Sequence, residues 1–183
     1  MIEFTAVSRP PETNAVFRRG QLLVLLSTFD GPLNIDRIGY FEFFAANPHL
    51  VVQGADAVRL ELAGFNPAAL SYQSAPERYA NRRARLRSDL AALTAWGYAR
   101  PKTEDGRIVC ELTDRGRREA QTLESLYADA YRQSIDMIRP LFRLSDTRLA
   151  ARASEWLRGG GMRLDVLDVD SEFQLTLNLD AGS

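Results

Sequence analysis

Few residues of this 183-residue chain have the type and spacing that enzymatic chemistry requires. His49 is the single histidine and follows Asn47-Pro48, so a histidine-based metal site or a Ser/His/Asp triad would depend on it alone. Cys110 alternates with other residues of an apolar strand pattern, which is typical of a core thiol. His49 is most simply interpreted as a loop residue. A carboxy-terminal acidic run lacks the glycine and final glutamate of a calcium loop: Asp165, Asp168, Asp170 and Glu172. The sequence therefore predicts no enzyme, no metal site and no cofactor.

Clustered cations are the strongest functional signal. Residues 78–118 hold eleven Arg and Lys against five Asp and Glu, although the formal net charge of the whole chain is -1. Four of the arginines lie close together in a predicted helix, and three more cations lie in a predicted hairpin: Arg82, Arg83, Arg85, Arg87, Arg100, Lys102 and Arg107. Side chains of this type are predicted to contact phosphates or the acidic groups of a partner.

The helix that carries these arginines has two distinct faces. At about 100° per residue, one sector collects Tyr79, Leu86, Leu90, Leu93 and Gly97, which predicts the face that packs on a core. The outward face carries only small side chains: Ala84, Ser88, Ala91 and Ala95. This stripe is either indifferent helix surface or a partner-binding face that lets another helix approach closely while Arg85 and Arg87 clamp its acidic groups. It has no Asn or Gln to bind adenine, and no central arginine to bind guanine.

The sequence predicts a hairpin and a further helix after this one. Gly97 suits a left-handed helix end, and Glu104, Asp105 and Gly106 form a turn between two strands. Ile108, Cys110 and Leu112 alternate with Val109 and Glu111, which predicts that the first three point inward. Thr113 is predicted to cap a long helix that runs to about Arg139.

Four segments are predicted from the rest of the chain. Residues 1–16 form an amino-terminal arm with strand character from Ile2 to Val7, and residues 17–139 form one domain with an insertion at 49–75. Within this domain a nearly all-apolar helix spans 17–29, Asn34 caps the next helix, and Val58, Leu62 and Phe65 indicate one short helical turn.

The third segment, residues 140–158, is a helix capped by Ser145 and Asp146, with one apolar side: Leu149, Ala153, Trp156 and Leu157. The last segment, residues 159–183, is an acidic tail that begins with a triple-glycine joint. Its alternating residues Phe173, Leu175 and Leu177 predict a strand, which either pairs with Ile2 to Val7 or adds to a sheet edge of a partner.

Nothing in the sequence predicts membrane insertion or export. No run approaches 18 apolar residues, and the first residues lack the basic and apolar regions of a signal peptide. We therefore expect a cytoplasmic protein without a membrane partner.

The leucine, glycine and threonine spacing of the central region resembles that of the winged helix-turn-helix superfamily. The residues concerned are Leu90, Leu93, Gly97, Leu112, Thr113 and Gly116. The resemblance implies a mainly α fold with a small β wing and a long carboxy-terminal helical extension. Function stays open, because winged helices serve transcription factors, accessory subunits of chromosome-organising ATPases and dimerisation modules alike. The second and third helices of a compact helix-turn-helix are joined by about 3 to 4 residues, whereas residues 49–75 intervene here.

From Arg18 to Ile138 the chain also resembles the middle component of bacterial ABC three-component systems. The similarity lies in LLVLLSTFDGPLNIDRIGYFEFF, in LSYQSAPERYANRRARLRSDLAALTAWGYA, and in LTDRGRREA after the hairpin. That family consists of small winged-helix proteins encoded between an SMC-like ABC ATPase and an effector, in systems assigned to anti-phage or anti-plasmid defence. The resemblance implies a noncatalytic adaptor with the ATPase, and an effector protein, as partners.

The residues themselves leave a second hypothesis open. A dimeric DNA-binding transcription regulator would use the basic helix and hairpin on DNA. Its homodimer would form through the 17–29 helix and the long carboxy-terminal helices.

Overall fold

The computed structural model describes residues 13–65 and 74–158, which form a mainly helical fold with a small three-stranded antiparallel sheet. The elements are α1 Ala15–Ser27, β1 Leu33–Asn34, α2 Ile35–Ala46, α3 Ala55–Leu62, α4 Ala75–Ala95, β2 Ala99–Glu104, β3 Arg107–Leu112, α5 Asp114–Thr122, α6 Leu126–Ile138 and α7 146–158. Short 3₁₀ turns occupy Pro48–Leu50 and Arg139–Arg143. The predictions for the strand Ile2 to Val7, the triple-glycine joint and Phe173, Leu175 and Leu177 lie outside the described residues.

Most of the helices begin where a polar side chain accepts a bond from an otherwise unpaired backbone amide. The carboxamide oxygen of Asn34 accepts from Arg37 N at 2.8 Å, and the Thr113 hydroxyl accepts from Gly116 N at 3.1 Å, which confirms both predicted caps. α4 has a full capping box, in which Ser74 and Glu77 each accept a bond from the other's backbone N–H. The predicted cap Ser145 accepts from Arg148 N at 3.4 Å.

The sheet has the order β1-β3-β2, with β3 in the centre. Asp105 and Gly106 both have positive φ, 48° and 72°, so the hairpin closes in a tight two-residue turn. The turn is found where it was predicted, but Glu104 belongs to β2, where it pairs with Arg107. The predicted alternation along β3 is wrong, because Ile108 is 59% exposed whereas Val109 and Glu111 are buried. β1 pairs only with Val109 and Cys110 and leaves Ile108 uncovered near the hairpin tip. Cys110 and Leu112 are buried as predicted.

Two apolar clusters form the core. The first joins α1 and α4 to the sheet, and its buried members include Leu22, Leu26, Leu86, Leu90, Leu93, Cys110 and Leu112. The inward face predicted for α4 is thereby confirmed at its three leucines. The second cluster joins α1 and α2 to α6 and α7 around Phe41, Phe43, Phe44, Tyr131 and Ile135. In α7, Leu149 and Ala153 are fully buried, and Trp156 meets Phe44 edge-on at 5.4 Å.

The single long helix predicted from Thr113 to Arg139 is wrong. α5 ends at Thr122 and α6 begins at Leu126, because Leu123 leaves the helical conformation and Ser125 caps a new helix by accepting from Ala128 N at 3.0 Å. The Arg132 guanidinium stabilises the break by donating to the carbonyls of Ala120 and Leu123 at 3.1 and 2.9 Å. α6 therefore packs on α2 within the fold and does not project from it.

Candidate functional site

A buried ion pair sets the orientation of α4. Asp89 is 2% exposed and accepts bonds from Arg18 Nε at 2.7 Å and Arg19 Nε at 3.0 Å, both on α1. Leu86, Leu90 and Leu93 pack on the first cluster on the same side of the helix. Because these contacts fix the rotation of α4, they also fix which residues face outward.

All four small residues of the stripe, Ala84, Ser88, Ala91 and Ala95, are exposed. The described part of the 49–75 insertion does not cover them, although it includes α3. The outward placement from the helical wheel is therefore found in the structure, and the partner-binding role of the stripe stays a prediction.

Arg82 is not a surface contact, and that prediction is wrong. Only 9% of its side chain is exposed, and Nε donates to Glu42 Oε1 at 2.5 Å while a second nitrogen donates to the side chain of Gln21. Burial acts to lower the pKa of Arg82, but the adjacent Glu42 carboxylate outweighs it, so the pKa is raised overall. Arg82 ties α4 to α2 and α1.

Four other predicted cations are paired within the chain. Arg83 bonds Asp36, and Arg107 donates to Asp146 Oδ2 at 2.9 Å. In the hairpin, Lys102 and Arg100 both bond Glu111, at 2.7 and 2.5 Å, and these bonds hold the pKa of Glu111 below its ordinary value. Phosphates would have to compete with these carboxylates.

Arg85 and Arg87 differ from the other five predicted cations. Both are exposed, and neither makes a hydrogen bond or an ion pair among the described residues. They lie beside the stripe on α4, where the sequence placed them. Their charge is available to an external ligand or partner.

Trp96 extends this surface and was not singled out from the sequence. It follows α4 directly and is 44% exposed, and the Arg19 guanidinium lies 4.9 Å from the centre of its ring. A cleft of about 580 Å³ beside it is lined by Ala95 of the stripe, by Val16 and by Tyr98. The available signal was a tryptophan directly after the last helical residue Ala95, at the end of the small-residue stripe.

Of the two residues considered for catalysis, Cys110 is buried and His49 is half-buried. Burial lowers the pKa of His49 to about 4, with a further contribution from Arg78, and burial raises the pKa of the Cys110 thiol to about 11. Within residues 13–65 and 74–158, no three His, Cys, Asp or Glu side chains converge as a metal site would require. No helix in the same ranges is both long and apolar enough to span a bilayer.

The chain was also compared with protein-family models, curated proteins and solved structures. None of the three comparisons found a match.

Proposed function

We propose that this protein is a noncatalytic winged-helix adaptor that binds a helical segment of an SMC-like ABC ATPase through the outward face of α4, in a complex that also includes an effector. The observation that carries the proposal is the uncovered stripe Ala84, Ser88, Ala91 and Ala95 on α4. Arg85 and Arg87 lie beside it without an ion-pair partner in the described part of the chain, and half-exposed Trp96 lies at its end. The order of the elements supports the winged-helix fold in this proposal. The helices α1 and α2 are followed by the long α4, the hairpin and α5.

The composition of this surface suits a helical partner. Helix axes approach to within about 8 Å only where the side chains between them are small, which the stripe provides over three turns. Binding hot spots are enriched in Trp and Arg, so Trp96 supplies an apolar anchor, while Arg85 and Arg87 suit acidic side chains at the rim. The proposal therefore requires an acidic helical surface on the ATPase.

A second candidate is a dimeric DNA-binding regulator. The exposed Arg85 and Arg87 on an uncovered helix favour it. Five of the seven predicted phosphate contacts are, however, already paired with carboxylates of the chain, and a DNA complex would have to replace those pairs. The protein adaptor is therefore the better-supported proposal.

The test introduces a bulky charge into the stripe. We expect Ala91→Arg to reduce copurification of the coexpressed ATPase by at least about tenfold, because a long side chain blocks close helix approach. Ala151→Arg is the matched control, since Ala151 is an exposed alanine on α7, and it should copurify as the unchanged protein does. Both variants should keep their melting temperature within about 2 °C.

Three results would contradict the adaptor. Unfolding of Ala91→Arg would mean that the stripe is core in solution. Full capture of the ATPase by Ala91→Arg would remove the stripe from the interface. A dimer of the unchanged protein that protects one palindromic DNA site would favour the regulator.

A further inference from the structure

A separate cleft of about 630 Å³ opens where the start of α2, the middle of α4, the hairpin and the start of α7 meet. Four arginines from three elements line it: Arg37, Arg83, Arg87 and Arg107. Two carboxylates, Asp36 and Asp146, line it as well. The cations therefore outnumber the anions by four to two, and a concave basic surface concentrates anions from solution.

Three of these guanidinium groups are held in place before any ligand arrives. Arg37 donates to Asp146 Oδ1 at 2.9 Å and to the carbonyls of Leu144 and Phe142 at 2.8 and 2.6 Å. Arg83 donates to the carbonyl of Ile35 at 3.1 Å and to Asp36, and Arg107 donates to Asp146. A diphosphate must compete with Asp36 and Asp146 for these groups. The bonds from Arg37 and Arg83 to backbone carbonyls can stay in place while it does so, which lowers the side-chain entropy that binding costs.

Arg87 is the fourth, and it is exposed without a carboxylate partner among the described residues. Because Asp36 is engaged by Arg83 and Asp146 by Arg37 and Arg107, the lining offers no further anion for it. The apolar part of the lining includes Tyr40 and Ile108, together with Ile35, Leu149 and Ala150. Ile108 is exposed near the hairpin tip, so its side chain is accessible to a ligand in the cleft.

We propose that this cleft binds a small molecule that carries a diphosphate group, whose oxygens contact Arg83, Arg87 and Arg107. Guanidinium groups match phosphate oxygens in geometry and charge, and the cleft lies in the size range of small-ligand sites. The diphosphate belongs either to inorganic polyphosphate or to a nucleotide, whose base would lie against Tyr40 and Ile108. The cleft shares Arg87 with the rim of the α4 stripe but contains none of the stripe's small residues, so the proposal does not depend on the adaptor role.

The experiment is calorimetric titration of the full chain with pyrophosphate, ATP, adenosine and a short DNA duplex at about 150 mM salt. We expect pyrophosphate and ATP to bind and adenosine not to bind. Equal affinity for the first two would identify a free polyphosphate as the ligand class, and an ATP affinity at least about tenfold higher would identify a nucleotide.

Variants with different expected effects on affinity distinguish a specific site from nonspecific attraction by positive charge. Arg87→Ala should weaken pyrophosphate binding at least about tenfold, whereas Arg85→Ala, an equally exposed arginine of the same helix outside the cleft, should leave it unchanged. Asp36→Asn should strengthen binding about threefold, because it removes a competing carboxylate from Arg83. Circular dichroism of each variant verifies that the fold is retained.

Three outcomes would overturn the proposal. These are an unchanged protein that binds neither pyrophosphate nor ATP, an Arg85→Ala variant that loses as much affinity as Arg87→Ala, and binding that is confined to duplex DNA.

Discussion

At the residue scale, the close contact between Gly116 and Tyr98 explains why a glycine stands three residues after Thr113. Thr113 N donates to the Tyr98 carbonyl at 3.0 Å, and the Thr113 hydroxyl donates to the Gly97 carbonyl at 2.7 Å, so the start of α5 lies directly on the backbone that enters β2. A Cβ at position 116 would lie 2.0 Å from the Tyr98 carbonyl oxygen. Only glycine fits there without a shift of backbone.

We predict that Gly116→Ala lowers the free energy of unfolding by about 3 kcal/mol, because the new methyl group forces α5 away from β2. Urea denaturation measures the change. Gly31→Ala is the control, since no atom lies within 4 Å of its added Cβ, and its stability should change by less than about 0.5 kcal/mol. Equal stability of the two variants would show that α5 and β2 do not approach this closely in solution.

At the element scale, the features that could be predicted are local in sequence. Helix starts at Asn34 and Thr113 and the helix end at Gly97, where φ is 74°, follow from single residues and their neighbours. The break between α5 and α6 was missed because the apolar spacing runs across it, although Ser125 is a cap residue of the ordinary kind.

The ion pairs of α4 could not be predicted in the same way. Arg82 bonds Glu42, forty positions away, and Asp89 bonds Arg18, 71 positions away. Only the packing of α4 on α1 and α2 brings these charges together. At about 100° per residue, Arg82 falls beside the apolar face of α4, and this position is a partial signal of its burial.

The Asp89 ion pair gives the prediction at this scale. Asp89→Asn should lower the free energy of unfolding by about 3 kcal/mol, because it leaves Arg18 and Arg19 facing a neutral group in a buried site. Asp129→Asn removes an exposed i,i+3 pair with Arg132 and should cost less than about 1 kcal/mol. Guanidinium would mask these charges, so urea denaturation is the measurement, and a similar loss in both variants would contradict a special role of Asp89.

At the scale of the whole molecule, the two apolar clusters share helices. α1 supplies Leu22 and Leu26 to the first cluster and Val24 and Leu25 to the second, and Leu123 packs against both. Neither cluster can lose α1 without exposing the other. We therefore expect the described residues to unfold as one cooperative unit. A change at one buried side chain then changes the free energy of unfolding of the whole unit.

The protonation of His49 is expected to change the free energy of unfolding of this unit. Its Nε2 is buried without a hydrogen-bond partner among the described residues, and its folded pKa is about 4, against an ordinary value of 6.5. Between these two pH values the unfolded chain binds a proton that the folded protein does not. The free energy of unfolding must therefore decrease as the pH falls from about 6.5 towards 4.

His49→Gln removes this contribution and leaves the other titrating groups in place. We predict that, between pH 7 and pH 5, the unchanged protein loses about 1 kcal/mol more stability than the variant, allowing for solvent that still reaches part of the ring. Urea denaturation at a series of pH values gives both curves, and their difference isolates the imidazole from carboxylates such as Asp146 that titrate at lower pH. Parallel curves would mean that His49 takes up its proton equally well in both states, so that water reaches its Nε2 in the folded protein.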